Sequence, residues 1–292
     1  MSVREILRLF IPPIYYKIKH RLEKLMLKPA IPLPKIPHSQ DRLVIIGNGP
    51  SLNKTMELYE QQILNTDTIM VNFSARTPLY EQIRPKYYML ADPGFLNNQT
   101  VRESVDKLVE EIYYKTTWPM TIIMSDKLML WGGGERMSQN KNIEVLYYST
   151  KWTEAKNKEL FWVWDRNKGC PPAQTVLTAC IWFSIYQGYK ETYLVGADTS
   201  FIHDIYVGQT DNVLYTIDRH YYQNQDVCPS ELEKEKGGRK FGTDMEGILR
   251  DVYTVFKEYK LLKRYAEWKG VSIYNASEYS MIDCFERKKL DE

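Results

Sequence analysis

The chain has 292 residues, 43% of them hydrophobic, and a formal net charge of +2, which suits one large or two small domains with a real core. It holds no 18-residue apolar run and no signal-peptide pattern, which excludes a spanning helix, and no basic stripe suited to nucleic acid. Its four cysteines, Cys170, Cys180, Cys228 and Cys284, lack C-x-x-C spacing and paired His ligands, so they read as reduced thiols of a cytoplasmic protein with no zinc site.

The charge is unevenly placed. Residues 1–40 carry eight Lys/Arg against Glu5 and Glu23, a balance of +6, and the remainder is −4. Residues 1–28 interleave seven of those cations with Ile6, Leu7, Leu9, Phe10, Ile11, Ile14, Tyr15, Tyr16 and Ile18. The pattern predicts a basic amphipathic helix. It suits either an anionic lipid headgroup layer, where each cation adds about 1 kcal/mol, or the protein's own body or a partner chain. Residues 29–40, with Pro29, Pro32, Pro34 and Pro37, read as an extended tether. Residues 41–292 read as one domain.

That domain opens with the most informative stretch of the chain, Leu43-Val44-Ile45-Ile46-Gly47-Asn48-Gly49-Pro50-Ser51-Leu52. A buried strand runs into a glycine turn and a segment that starts a helix, as nucleotide-binding α/β domains begin. Gly47 and Gly49 allow close approach of a ligand, and Ser51 with free N–H groups suits phosphate. Position 52 is Leu, so the dinucleotide fingerprint is not met, and the P-loop pattern is absent. Further strands are predicted over 68–72, 86–91, 121–124, 144–148, 192–195 and 271–274. Helices are predicted over 101–114, 174–186 with Gly188 as C-cap, and 245–269 between Asp244 and Gly270. Residues 199–243 read as an irregular lid or acceptor-binding insertion. Gly132-Gly133-Gly134 reads as a lid hinge or a simple turn. Trp152, Trp162 and Trp164 read as a sugar platform or as local packing. Strands alternating with helices give an α/β class: a Rossmann-like, mainly parallel sheet flanked by helices, with an N-terminal amphipathic helix.

Ligands of open α/β sheets sit beyond the carboxyl ends of the strands. Here those ends are Gly47-Asn48-Gly49, Asn72, Asp92, Gly196 with Asp198, and Asn275. Any one of them is ordinary turn chemistry. Their recurrence points to a shared cleft, where Asn amides suit a ribose, a base edge or a sugar hydroxyl.

The Asn48 turn, the strand ending at Asn72, Gly188–Asp198 and Ile273–Ser280 resemble the bacterial sialyltransferases of glycosyltransferase family 42, in short islands across residues 43–285. The Asn-Gly-Pro-Ser-Leu turn is also shared with the MptE-like diphosphokinase group, which includes many proteins of bacterial surface-polysaccharide clusters. The resemblance implies a single-domain GT-A-like variant of this fold and an inverting, metal-independent transferase using a CMP-activated acidic sugar. Carried over by position, Asn48 meets phosphate or ribose, and Asn72 meets sugar or nucleotide. Asp92 stands where the family has Asn, and Thr175 falls near its Thr/Ser pair. Gly196 and Asp198 lie beside the cytidine, and residues 275–280, with Asn275 and Ser277, close the pocket. Tyr206 lies at the spacing of the second phosphate-binding Tyr, whereas the first position is Ser200. The family's general-base His has no counterpart in residues 240–243.

A substitute base has to titrate near neutral pH. Of the four His, His20 and His38 fall in the arm and tether, which leaves His203 and His220. His220 reads as the base, with Asp218 or Asp204 orienting it and Arg219 or Tyr206 meeting phosphate, or else as a surface-loop histidine. Asp198 is a further candidate. Three functions therefore compete. The first is a glycosyltransferase of surface-polysaccharide or lipooligosaccharide synthesis, held at the inner face of the cell membrane by residues 1–28. The second is an MptE-like diphosphokinase needing ATP and magnesium, and the third a non-catalytic nucleotide-sugar-binding protein. The expected partners are a CMP-sugar donor, a glycan or glycolipid acceptor and an anionic membrane surface. There is no nucleic-acid partner, and a homo-oligomer is compatible with all three.

Overall fold

The computed structural model describes residues 32–92, 94–97, 102–150, 158–171, 173–217, 219–222, 228–236 and 239–292. The basic arm 1–28, Trp152 and Asp218 lie outside the described residues.

Eight parallel strands form one sheet: β1 (Arg42–Ile46), β2 (Asp67–Val71), β3 (Tyr87–Leu90), β4 (Met120–Ser125), β5 (Ile143–Tyr148), β6 (Glu191–Val195), β12 (Ser272–Asn275) and β13 (Glu286–Arg287). Their spatial order is β13-β12-β6-β1-β2-β3-β4-β5. This is the expected Rossmann-like α/β class. Successive side chains point to opposite faces, and both faces are buried. Leu43, Ile45, Ile69, Val71, Tyr87 and Met89 enter one core, whereas Val44, Ile46, Met70, Tyr88 and Leu90 enter the other. That double burial is why these strands read as unbroken apolar runs.

The crossovers explain the strand order. Helices α1 (Leu52–Leu64), α2 (Pro78–Ile83), α3 (Gly94–Asn97), α4 (Arg102–Lys115) and α5 (Gly132–Ser138) connect β1 to β5. All but the short α3 contribute fully buried side chains to the second core, and α3 contributes Phe95. After β5, α6 (Lys158–Asp165) and α7 (Val176–Gln187) pack into the first core and lead to β6, on the far side of β1. Crossovers keep one hand, so reversing the direction of travel moves the helices to the other face. The reversal leaves a switch point between β1 and β6.

Helix α7 is apolar all round, with Thr178 to Gln187 buried and Gly188 closing it at φ 98°. The Pro-rich segment is extended but docked. Tyr186 Oη donates to the Leu33 carbonyl (2.7 Å), Gln187 bonds both Pro34 O and Ile36 N–H, and His38 stacks on Tyr189 at 4.0 Å.

Several local expectations change. Gly132 to Gly134 form neither hinge nor turn but the first turn of α5. Gly133 lies against the Trp131 ring and Gly134 against Tyr147 Oη, with no room for a Cβ. Trp164 is fully buried against Phe161 and Tyr265, so it packs the core, while Trp162 carries the Arg166 guanidinium 4.2 Å above its ring. The described part of 199–243 is not irregular throughout. It holds a three-stranded antiparallel sheet of β7 (Ile205–Val207), β8 (Leu214–Thr216) and β9 (Ser230–Glu231), and a hairpin of β10 (Glu233–Lys236) and β11 (Arg239–Gly242). Helix α8 (Met245–Lys269) is capped by Asp244, whose carboxylate accepts from Gly247 N–H (2.8 Å). No helix of the described residues is long and apolar enough to cross a membrane.

Candidate active site

The turns after β1 and β6 touch. Gly47 N–H donates to Val195 O (2.8 Å) and Gly49 N–H to Gly196 O (2.9 Å). A Cβ on Gly47 would stand 2.4 Å from Gly196 O, and one on Gly49 2.3 Å from Asp198 Oδ1. The two glycines thus serve the approach of one strand end to another, in addition to any ligand.

Beyond this junction, at the carboxyl ends of the strands, opens a cleft. Among the sequence-predicted residues it brings together Gly47, Asn48, Gly49, Asn72, Thr175, Gly196, Asp198, Asp204, Arg219 and His220. Thr199, Ser200, Phe201 and Ile217 complete the wall, and the first turn of α7 faces in through Val176 and Leu177. Thr175, the N-cap of α7, makes no side-chain cap bond, so the helix presents first-turn N–H groups without a side-chain acceptor. That end carries partial positive charge and suits an anion.

Backbone strain gathers here. Of the five non-glycine residues at positive φ among the described residues, Asn72 (49°) and Thr199 (49°) both line the cleft. Each costs about 1–2 kcal/mol, and Thr is β-branched, for which the left-handed region is a true outlier. Asn72 Oδ1 is also buried without a hydrogen-bond partner among the described residues. A strained residue with an unused acceptor in a cleft is a strong candidate for a ligand contact.

Other predicted residues are spent internally. Asn48 Oδ1 accepts from Ser74 Oγ (2.7 Å) and its Nδ2 reaches Val71 O (3.4 Å), so this side chain pins β1 to β2 and is not held free for ligand. Ser51 donates twice to Asp198, from N–H (3.0 Å) and from Oγ (2.5 Å), which places a carboxylate at the N-terminus of α1. Burial raises the Asp198 carboxyl above its ordinary range, and the Ser51 donors oppose this. Asn275 and Ser277 are buried and face inward. Asn275 bonds Ile282 O (3.1 Å), and Ser277 Oγ accepts from Ala197 N–H (3.0 Å) and reaches Leu194 O (3.2 Å). They hold the turn behind the cleft and do not line it. Asp92 is exposed and caps Gly94 N–H (2.8 Å), and Tyr206 stacks on Tyr215 at 5.6 Å; neither lines the cleft.

The two histidines separate. His203 is exposed, edge-on to Tyr279 at 6.4 Å, and outside the cleft wall. His220 is in the wall because its neighbour is strapped down. Tyr221 N–H donates to Asn48 O (3.0 Å), Asn53 Nδ2 donates to Tyr221 O (3.0 Å), and Tyr221 Oη pairs with Thr77 Oγ1 (2.8 Å). Asp204 forms an ion pair with Arg219 (3.1 Å), so it positions the guanidinium at the cleft. Among the described residues no group of three or more His, Cys, Asp or Glu could hold a metal ion.

One titratable group was not anticipated. Glu258 of α8 is buried, and its Oε2 accepts from Gln174 N–H (3.0 Å), immediately before α7. Burial pushes its carboxyl up to about 7, with the Gln174 and Thr178 donors opposing. The folded state therefore binds this proton more tightly than the unfolded chain. The penalty is absent below the ordinary glutamate range and grows as pH rises through about 7. Glu258→Gln keeps an acceptor without the charge. It should match the parent's melting temperature near pH 4 and exceed it at pH 8, by a gain of about 1–2 kcal/mol after allowance for solvent screening. Melts of both proteins across that range test this, and a difference independent of pH would show an ordinary carboxyl.

No protein-family model and no curated protein matches the chain. Among solved structures it is similar to the MAf glycosyltransferase from Magnetospirillum magneticum AMB-1, with 15% sequence identity and a TM-score of 0.51. The match covers 94% of this chain and 38% of that protein, so it is a likeness of fold over part of a longer chain.

Proposed function

We propose that the chain is a glycosyltransferase that takes its sugar from a nucleotide-activated donor, and that the donor is a CMP-activated acidic sugar of the sialic-acid type. The observation that carries the reading is the cleft at the β1–β6 switch point, where the open N-terminus of α7, the strained Asn72 and the strapped His220 converge. Open α/β sheets bind nucleotides at such a point. The fold likeness to a glycosyltransferase supports the same reaction class.

In this reading the donor phosphate sits at the N-terminus of α7, with Arg219 beside it. Both stabilise charge that grows as the nucleotide leaves. Asn72 Oδ1 accepts from a ribose or sugar hydroxyl. The imidazole of His220 takes the acceptor's hydroxyl proton. The new bond joins that oxygen to the anomeric carbon, the bond from this carbon to the phosphate oxygen breaks, and configuration inverts. The acceptor is a glycan or glycolipid. The basic arm 1–28 holds the protein at the inner face of the membrane through attraction that salt weakens.

A thermal-shift panel tests the donor. CMP should raise the melting temperature more than UDP, GDP, ADP or NAD, by about 2.7 kcal/mol of stabilisation at a hundredfold excess over Kd. Larger stabilisation by ATP with magnesium would replace this reading with pyrophosphoryl transfer, and none by any nucleotide would overturn it.

A further inference from the structure

A helix leading into a parallel strand runs antiparallel to it. Helix α8 precedes β12, so its N-terminus lies on the cleft side of the sheet. Its middle is level with the cleft floor, because Glu258 meets Gln174 and Tyr259 Oη meets Thr199 Oγ1 (3.3 Å). At 1.5 Å per residue, Tyr253 to Met245 stand about 8 to 20 Å further out.

Two faces of α8 differ in an unusual way. Val252, Val255, Tyr259, Leu262 and Ala266 are buried in the first core or beside it. The opposite face is not simply polar. Met245, Leu249 and Tyr253, each four residues apart, are 40%, 49% and 64% exposed. Lys257, Lys260 and Arg264 continue that face, all exposed. The remaining exposed charges there largely cancel, since Arg250 pairs with Glu246 and Lys263 lies one turn from Glu267. An apolar stripe running into uncancelled cations is the surface chemistry of a helix lying in an anionic headgroup layer.

Where the chain enters the fold points the same way. Leu33 is held by Tyr186, and the Lys35 ammonium lies 3.4 Å over the Tyr186 ring, with Asp165 and Lys269 as its charged neighbours. Lys269 ends α8. The described chain therefore begins beside one end of the same helix, whose other end flanks the cleft.

We infer that the exposed face of α8, from Met245 to Arg264, is a docking surface for an anionic lipid bilayer, distinct from the N-terminal arm and placed so that the cleft opens at the bilayer's edge. A lipid-anchored acceptor then reaches the cleft without leaving the membrane. The inference does not depend on which sugar is transferred.

The test uses the full chain with exposed Cys228 changed to Ser, and vesicles of phosphatidylglycerol and phosphatidylcholine in equal parts. An environment-sensitive dye is attached through Leu249→Cys on α8 or, as a control, through Leu58→Cys on α1, which packs on the other face of the sheet. The dye at 249 should shift to the blue and be quenched by spin-labelled lipid on these vesicles but not on pure phosphatidylcholine, while the dye at 58 stays unchanged. Lys257→Gln, Lys260→Gln and Arg264→Gln together should lower vesicle affinity by about 10²-fold with no change in melting temperature. Sedimentation with vesicles while the dye at 249 remains in water would assign binding to the arm alone and overturn the inference. A shift without lipid that grows with protein concentration would assign the face to a second copy of the chain, and no sedimentation would overturn it outright.

Discussion

His220→Ala is expected to lower kcat by about 10²–10⁴-fold, the usual loss on removing a general base, with donor affinity nearly unchanged. The imidazole lines the cleft, whereas the proposed reading gives the phosphate to other groups, the α7 N-terminus and Arg219. His203→Ala should change kcat much less, because His203 sits outside the wall beside Tyr279. The measurement is steady-state transfer to a soluble acceptor, with donor Kd taken from titration and folding checked by a melt. Comparable losses in the two variants, or none in either, would remove His220 from the role. Asp198 is a poor replacement, since both its oxygens already accept from Ser51.

Gly47→Ala is expected to cost about 3 kcal/mol of stability or more, at the upper end of what a single overpacked methyl does. The atoms its Cβ would meet are backbone, Gly196 O at 2.4 Å and Gly196 C at 3.0 Å, and cannot swing aside. Relief means parting β1 from β6 and losing the Gly47 N–H to Val195 O bond. Gly132→Ala provides the contrast. It sits in the first turn of α5 with nothing within 4 Å of a Cβ, so the better helix propensity of Ala should leave stability equal or slightly higher. Thermal melts of the pair decide it. A drop on the order of 10 °C is expected for Gly47→Ala, and a wild-type melt would show that the two strand ends are not in contact.

The glycines illustrate how the sequence and the folded chain divide the information. Gly47 and Gly49 after an apolar run read as room for a ligand to approach, and in the fold another strand end fills that room. The approaching atoms belong to Gly196 and Asp198, far along the chain, and only the strand order sets them there. Asn48 was legible as a polar strand end, but its partners Ser74 and Val71 were not, so a side chain that reads as held for a ligand is a clamp between strands. The same holds for Asn275 and Ser277, which face the turn behind the cleft. Thr199 and Glu258 carried no local signal. In the fold the strained Thr199 meets Tyr259, and the buried Glu258 meets the start of α7, both far along the chain.

What the sequence determined by itself is what short-range physics controls. Unbroken apolar runs of strand length require burial on both faces, and hence a parallel sheet covered by helices. Asp244 and Gly270 mark the ends of α8, and polar residues after each strand mark one end of the sheet as the place for a site. What only the tertiary structure decided is the reversal after β5 that sets β6 beside β1, the strap of Tyr221 that brings His220 rather than His203 to the cleft, and the direction of each polar side chain. The first two depend on contacts between residues more than a hundred positions apart, and all three are decided by which surfaces meet and not by the residues next to them in the chain.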